Sequence, residues 1–157
     1  MKAVVHNISK SFENPDGTVF DALQNISLTI SEGEFVAVVG RSGCGKSTLL
    51  NIVAGLLPAT RGEVVFEDLT GDDRPLTSVV FQDLALFPWR SVKKNITYGL
   101  EEQKVPPEMR DERAVKLIEL VGLKGFEAHY PHQLSGGMKQ RTAIARSLAV
   151  NPELLLM

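Results

Sequence analysis

Ile26, Leu28 and Ile30 alternate with Ser27 and Thr29. That two-residue period belongs to a strand buried on one face. With Ala22 and Leu23 it predicts a strand over 22–30, and Ala3-Val4-Val5 predicts another. Between them lies a cluster of turn formers, Glu13-Asn14-Pro15-Asp16-Gly17, so the chain should open with an antiparallel β region. Phe35-Val36-Ala37-Val38-Val39 is different. It is a continuous, mostly β-branched apolar run, which predicts a parallel strand buried on both faces. From Thr48 the period lengthens. Leu49, Leu50, Ile52 and Val53 predict a helix over 48–56 that ends near Gly55 and Pro58. A turn over 58–62, a strand over 63–66 and a polar loop over 70–74 should follow. Ser78-Val79-Val80-Phe81 predicts a second buried strand. Residues 83–98 read as an apolar and aromatic loop. A helix is expected over 106–120, with Glu108 and Asp111 near its start and Val115, Leu117, Ile118 and Val121 on its apolar side. Another should open at Ser135-Gly136-Gly137 and run to about Ala149, where Asn151-Pro152 breaks it. Residues 153–157 begin a last strand.

Alternating strands and helices of this kind predict an α/β domain with a parallel sheet core. The expected organisation is one domain over 1–157, in which residues 83–149 form a mostly helical lobe. Composition narrows the class further. A length of 157 residues suits one domain, and 43% hydrophobic residues is ordinary for a globular protein. The formal net charge of −2 argues against a cationic surface for nucleic acid. No apolar stretch approaches the ~18 residues that span a bilayer. The N-terminus lacks the long apolar region of a signal peptide. A single cysteine excludes an internal disulfide and is compatible with a reducing compartment.

The chemistry concentrates at Gly40-Arg41-Ser42-Gly43-Cys44-Gly45-Lys46-Ser47-Thr48. The spacing fits G-x-x-x-x-G-K-[ST], placed after an expected strand and before an expected helix. Gly43 and Gly45 let the backbone curl with its N–H groups inward. The helix N-terminus behind them favours an anion. The fold class is therefore that of a P-loop NTPase, and the ligand expected is a nucleotide's phosphates with Mg²⁺. Gly40, Ser42, Gly43, Gly45, Lys46, Ser47 and Thr48 are the candidate binding residues. Lys46 would reach the β- and γ-phosphates, and Ser47 would ligate the metal. Cys44 is either a small loop residue or a thiol whose modification would block nucleotide entry.

Two further features accompany this loop. Gln82 follows the second buried strand, and Leu134-Ser135-Gly136-Gly137-Met138 precedes a helix carrying Lys139, Arg141 and Arg146. The combination resembles the ATP-binding subunit of an ATP-binding-cassette (ABC) transporter, and the resemblance covers all 157 residues. It implies that Phe12 stacks on adenine, the other reading being a core aromatic. It implies that Gln82 touches Mg²⁺ and the attacking water and senses a transmembrane partner. Ser135, Gly136 and Gly137 would offer a hydroxyl and backbone N–H groups to a γ-phosphate held by a second subunit. Two copies would then sandwich two ATP molecules head to tail. Lys139, Arg141 and Arg146 form either a solvated face or a group near phosphate.

Met138, where the family usually has glutamine, and the loop Gln82-Asp83-Leu84-Ala85-Leu86-Phe87-Pro88-Trp89-Arg90 resemble the importer branch that serves nitrate, sulfonates and taurine. Exposed Leu86, Phe87 and Trp89 would make an apolar patch, which an integral-membrane permease docking on residues 83–90 would cover. Alternatively, Leu84 and Leu86 fold back as local core. A solute-binding protein would take part indirectly. The implied location is the cytoplasmic face of the cell membrane, held peripherally.

The resemblance also marks a departure. Family members continue from the last apolar strand into an Asp that orders Mg²⁺ and a Glu that polarises water. They then add a switch histidine and further sheet strands. Here Leu154-Leu155-Leu156-Met157 is that strand. The fold is therefore expected to be incomplete at its C-terminal side, with part of the core exposed and the chain alone inactive. His6, His129 and His132 all precede the switch position. Glu153 precedes the strand and should sit at its far end from the phosphates. The function implied is ATP binding and hydrolysis coupled to uptake of a small anion. The alternatives are a nucleotide-binding or interaction module without turnover, and a soluble ABC protein of DNA repair or translation. The single short cassette and the aromatic loop speak against the last. An Asp-Glu pair directly downstream would decide for the complete ATPase.

Overall fold

β1 (Lys2–Glu13) and β2 (Val19–Ile30) pair as a long antiparallel hairpin, with Ala3 opposite Ile30, Val5 opposite Leu28 and Phe12 opposite Phe20. Both strands run further than their apolar halves, because the polar outer stretches pair as well. The ladder accommodates this through register shifts between Val5 and Ser11. Asn7 and Asn25 take left-handed backbone angles there, φ 47° and 50°, a conformation Asn tolerates well. β3 (Arg61–Glu67) joins the other edge of β1, so the order is β2-β1-β3. Gly62 is required at that junction: a Cβ there would lie 2.2 Å from the His6 carbonyl oxygen.

The computed structural model describes residues 1–69 and 74–157. The polar loop expected over 70–74 lies outside the described residues except for Arg74. The described chain divides into two compact units, Met1–Asp73 and Arg74–Met157. In the first, α1 (Lys46–Val53) follows the phosphate loop, starting two residues earlier and ending sooner than expected; Leu49, Ile52 and Val53 are buried.

The strand expected at residues 35–39 is not formed. The strands of the first unit's sheet pair among themselves, and no described strand hydrogen-bonds to this run. A strand needs a ladder as well as a pleated, apolar side-chain pattern. Without one, Phe35 and Val39 remain 83% and 87% exposed.

In the second unit, β4 (Thr77–Val79) and β5 (Leu154–Leu156) pair in parallel, with Thr77 opposite Leu154. The Val80 N–H extends the pair by donating to the Leu156 carbonyl at 2.8 Å. Phe81 lies beyond β4 and is exposed. α4 (Gly136–Ala149) packs on β4, where the Ser147 hydroxyl donates to the Val79 carbonyl at 3.3 Å. The α/β class with an antiparallel N-terminal region is therefore what forms.

Two helical details depart from expectation. Residues 92–98, expected as loop, belong to α2 (Val92–Glu102). Val92, Ile96 and Leu100 recur every four residues and are buried, and Ser91 caps the helix by accepting from the Lys94 N–H. α3 (Pro107–Leu120) begins on a proline at its first turn. Its buried stripe is Ala114 and Ile118, whereas Val115 faces solvent, about 100° around the helix from its neighbour. Val92, Ile96, Leu100, Ile118, Leu123, Leu134, Ala145 and Ala149 close the core of this unit. A short 3-10 turn, Pro131–Gln133, precedes α4 and carried no sequence signal.

Candidate functional site

The phosphate loop owes its shape to two glycines. Gly43 has φ 78° and Gly45 φ 93°, a left-handed region that side chains with Cβ resist. Gly45 is doubly constrained, because a Cβ there would lie 2.5 Å from the Ala22 carbonyl oxygen on β2. Gly45 is also the N-cap of α1 and supplies no side chain to its first N–H groups, so these stay available to an anion. The Lys46 ammonium donates to the Gly40 and Arg41 carbonyls, both at 2.9 Å, and lies 3.7 Å from Cys44 Sγ. Lys46 thus draws the start of the loop onto its end. Ser42 and Ser47 are exposed and Thr48 is half-buried. Cys44 is an exposed free thiol, and its sulfur would meet a Cβ added at Gly40 at 2.7 Å.

Phe12 is 39% exposed and is no core aromatic. It stands opposite Phe20 in the hairpin, with the Lys10 ammonium 5.1 Å from its ring centroid, within cation–π range.

In the second unit, Gln82 is exposed beyond the C-terminal end of β4. Two residues later the backbone turns left-handed at consecutive non-glycine positions, Leu84 (φ 62°) and Ala85 (φ 41°). Such residues cost on the order of 1–3 kcal/mol each, and their surroundings must hold them. The holder is Arg146 on α4. Its Nη1 donates to the Ala85 carbonyl at 2.6 Å and its Nη2 to the Leu84 carbonyl at 2.8 Å, with the guanidinium 5.8 Å from the Phe87 centroid. Burial pushes the Arg146 pKa below its ordinary value.

Residues 87–91 are held by Asn95, which is fully buried. Its Oδ1 accepts from the Phe87 N–H at 2.9 Å, and its Nδ2 is shared among the carbonyls of Phe87, Arg90 and Ser91 at 3.2, 2.8 and 3.1 Å. Phe87 lies 4.6 Å from Tyr98 and 5.6 Å from Trp89 between ring centroids. Arg90 sits over Tyr98 at 4.9 Å and donates to Glu101 at 2.9 Å. Burial alone would raise the Glu101 carboxyl; hydrogen bonds from Arg90 and Thr97 and the charges of Arg90 and Arg110 outweigh it and hold it below its ordinary value. The apolar patch expected of Leu86, Phe87 and Trp89 is therefore narrower. Leu84, Leu86 and Phe87 are half-buried, and Trp89 alone stands out, 71% exposed.

Ser135 is the N-cap of α4, its Oγ accepting from the Met138 N–H at 3.3 Å. Gly136 and Gly137 are exposed, and a Cβ at either would meet nothing within 4 Å. Nothing inside the described chain requires glycine at these positions. Arg141 donates to the Val121 and Gly122 carbonyls at 3.0 and 3.2 Å, closing the C-terminal end of α3. Two of the three basic residues of α4 are thus bound to backbone carbonyls. Lys139 is half-buried. Glu153 pairs with Arg74 at 2.8 Å. It lies ahead of β5, whereas Gln82 lies beyond β4, and the strands are parallel, so the two sit at opposite ends of the pair. His129 and His132 pack against Phe126 and Tyr130. Among the described residues no group of three or more His, Cys, Asp or Glu is arranged to hold a metal, and no helix is long and apolar enough to cross a membrane.

Asn95 and the carbonyl-binding roles of Arg141 and Arg146 were missed from sequence. For Asn95 a signal existed: a carboxamide between Val92 and Ile96, on the stripe that the helical period buries.

These features are those of an ATP-binding cassette. The sequence model of the ABC transporter family matches residues 23–157, and the chain belongs to that family. It is 51% identical, over its whole length, to an ABC transporter ATP-binding protein of Methanocaldococcus jannaschii. It is 44% identical, over 98% of its length, to the taurine import ATP-binding protein TauB of Roseobacter denitrificans. The chain spans 59% and 58% of these two relatives. It also superposes on the dimeric ATP-binding cassette MJ0796 bound to ADP and Pi with a TM-score of 0.85 at 36% identity, covering 98% of this chain and 72% of that one.

Proposed function

We propose that this chain is the nucleotide-binding part of an importer ATPase that couples ATP binding and hydrolysis to uptake of a small anion through a membrane permease. The observation that carries the reading is the loop over residues 40–48: left-handed Gly43 and Gly45, an uncapped α1 N-terminus and Lys46 at its mouth. Such a loop takes phosphates on backbone N–H groups and an ammonium. The exposed Ser47 hydroxyl would hold Mg²⁺, which offsets phosphate charge when bound. Phe12 would stack on the base and Gln82 would orient the attacking water. A peripheral position on the cytoplasmic face follows from docking on a permease.

The glycines at 136 and 137 support a dimer. With no internal contact to explain them, they leave room for a phosphate that approaches Ser135 from a second copy. Ser135→Arg is expected to leave ATP affinity within about twofold but to abolish ATP-dependent dimerisation, because a long cation replaces the cap at the mating surface. Light scattering with ATP in a hydrolysis-deficient background checks it. Normal dimerisation of the variant removes the head-to-tail arrangement.

Trp89 supports the permease. A large aromatic left exposed beside a pinned loop is the composition of an interface anchor. Trp89→Ala should weaken assembly with the permease by about 30-fold or more, the loss of one buried aromatic anchor, with ATP binding unchanged. Co-purification of the subunits measures the first and calorimetry the second. The likeness to a taurine import protein supports a sulfonate or similar anion as the solute, and transport assays with taurine against nitrate decide it. A module without turnover is the second reading. It is favoured by Glu153, whose carboxylate is committed to Arg74. Phosphate release by the full protein, lost in Lys46→Ala, eliminates it.

A further inference from the structure

We propose that Arg146 is a positioning residue that joins the loop over residues 83–90 to α4 as one mechanical piece. A partner pressing on Trp89 would thereby move Ser135. The proposal rests on the docking reading above for its partner, and on the following observations for the linkage itself.

Leu84 and Ala85 are both left-handed and neither is glycine, so the loop does not hold this shape by its own preference. The carbonyls of these same two residues accept from the two terminal nitrogens of one guanidinium. A planar fork on adjacent carbonyls fixes direction as well as distance, which a single ammonium does not. The guanidinium also lies near the Phe87 ring, and Phe87 touches Trp89. The chain of contact therefore runs from Trp89 through Phe87 to Arg146. On the other side Arg146 belongs to α4, a rod of continuous hydrogen bonds whose N-cap is Ser135. Eleven residues separate Arg146 from Ser135, on the order of 16 Å along the axis. The other side-chain bonds between this loop and a helix run to α2, from Asn95 and from Arg90 to Lys94 and Glu101, and they do not reach α4. Among the described residues, Arg146 supplies the side-chain hydrogen bonds that tie this loop to the signature helix.

Trp89 is the only tryptophan of the chain and reports on the loop directly. Arg146→Ala removes a half-buried stem along with the fork, so Arg146→Lys carries the test, keeping the charge and most of the stem. In the protein alone, Arg146→Lys should leave the thermal midpoint close to that of the parent. Exchange of the Leu84 amide should become about tenfold faster, the equivalent of one hydrogen bond to a charged donor, and Trp89 anisotropy should fall. In the complex with the permease, the same variant should keep ATP affinity and permease-free hydrolysis. It should lose permease-stimulated hydrolysis by about tenfold, if one such bond transmits the stimulus. Unchanged Trp89 anisotropy and amide exchange overturn the linkage. A loosened Trp89 with full permease stimulation overturns the coupling. If the parent protein itself shows no permease stimulation, the docking reading fails and the coupling with it. The Trp89 measurement on the protein alone separates that failure from a failure of the fork.

Discussion

Lys46→Ala is expected to weaken ATP binding by about 10- to 150-fold, the range for losing one hydrogen bond to a charged group. The fold should survive, because among the described residues the Lys46 ammonium bonds within its own loop, to the Gly40 and Arg41 carbonyls and the Cys44 sulfur. Those carbonyls lie on exposed residues, where water can replace the lost donor at little cost. The substitution is thus directed at ligand affinity and spares packing. Arginine is not a fair substitute, since its planar fork is wider than the point charge the loop encloses. Lys46→Met controls for side-chain volume and should fall with the alanine. Calorimetry with ATP and Mg²⁺ gives the affinity, and far-UV circular dichroism gives the fold. Unchanged affinity in both variants with intact circular dichroism would falsify the assignment of residues 40–48 as the phosphate site.

The phosphate loop and the capped start of α4 were legible in the sequence because each depends on local chemistry. Glycine is needed where φ is positive, as at Gly43 and Gly45, and serine is needed where a helix lacks an acceptor for its first N–H groups, as at Ser135. Such requirements are met within a few residues and leave a fixed spacing. β4 and β5 were legible as short apolar runs that find each other as partners, Thr77 opposite Leu154, although β4 is half-buried along its length.

Residues 35–39 show the limit of this reasoning. A β-branched apolar run states that its side chains seek burial, but the ladder that would bury them is a property of other segments. The same limit applied to the aromatic loop. Its composition marked residues 83–98 as unusual, yet α2 begins inside them because Val92, Ile96 and Leu100 find α3 and α4. The apolar letters Leu86 and Phe87 suggested exposure to a partner. In the structure Phe87 is covered by Tyr98 and lies beneath two guanidiniums. Arg146 was the least legible of all. Its partners are carbonyls some sixty positions away in sequence, and a carbonyl has no letter of its own in the sequence.

Asn95→Ala should destabilise the second unit by about 2 kcal/mol or more, since the Phe87 N–H and the Arg90 carbonyl lose their side-chain partner at roughly 1–3 kcal/mol each, while the Phe87 and Ser91 carbonyls keep backbone donors. Asn95 is fully buried, and its carboxamide serves the Phe87 N–H on one side and the Phe87, Arg90 and Ser91 carbonyls on the other. Asn95→Asp separates these two functions with almost no change in volume. The carboxylate can still accept from Phe87, but it places negative charge against the carbonyl oxygens that Nδ2 satisfied. Burial and those carbonyls must raise the variant's carboxyl pKa above the unfolded value of about 3.9. The folded state then holds a proton that the unfolded state has lost. Stability of the variant should therefore be greatest below that unfolded pKa and should fall as pH rises through the folded one. The protonated acid keeps one donor for a carbonyl, so acidification should bring Asn95→Asp back toward the parent and leave Asn95→Ala where it was. Urea unfolding of the three proteins between acid and neutral pH measures this directly. An aspartate variant as stable as the parent at neutral pH would mean that the NH₂ group does not hold the loop.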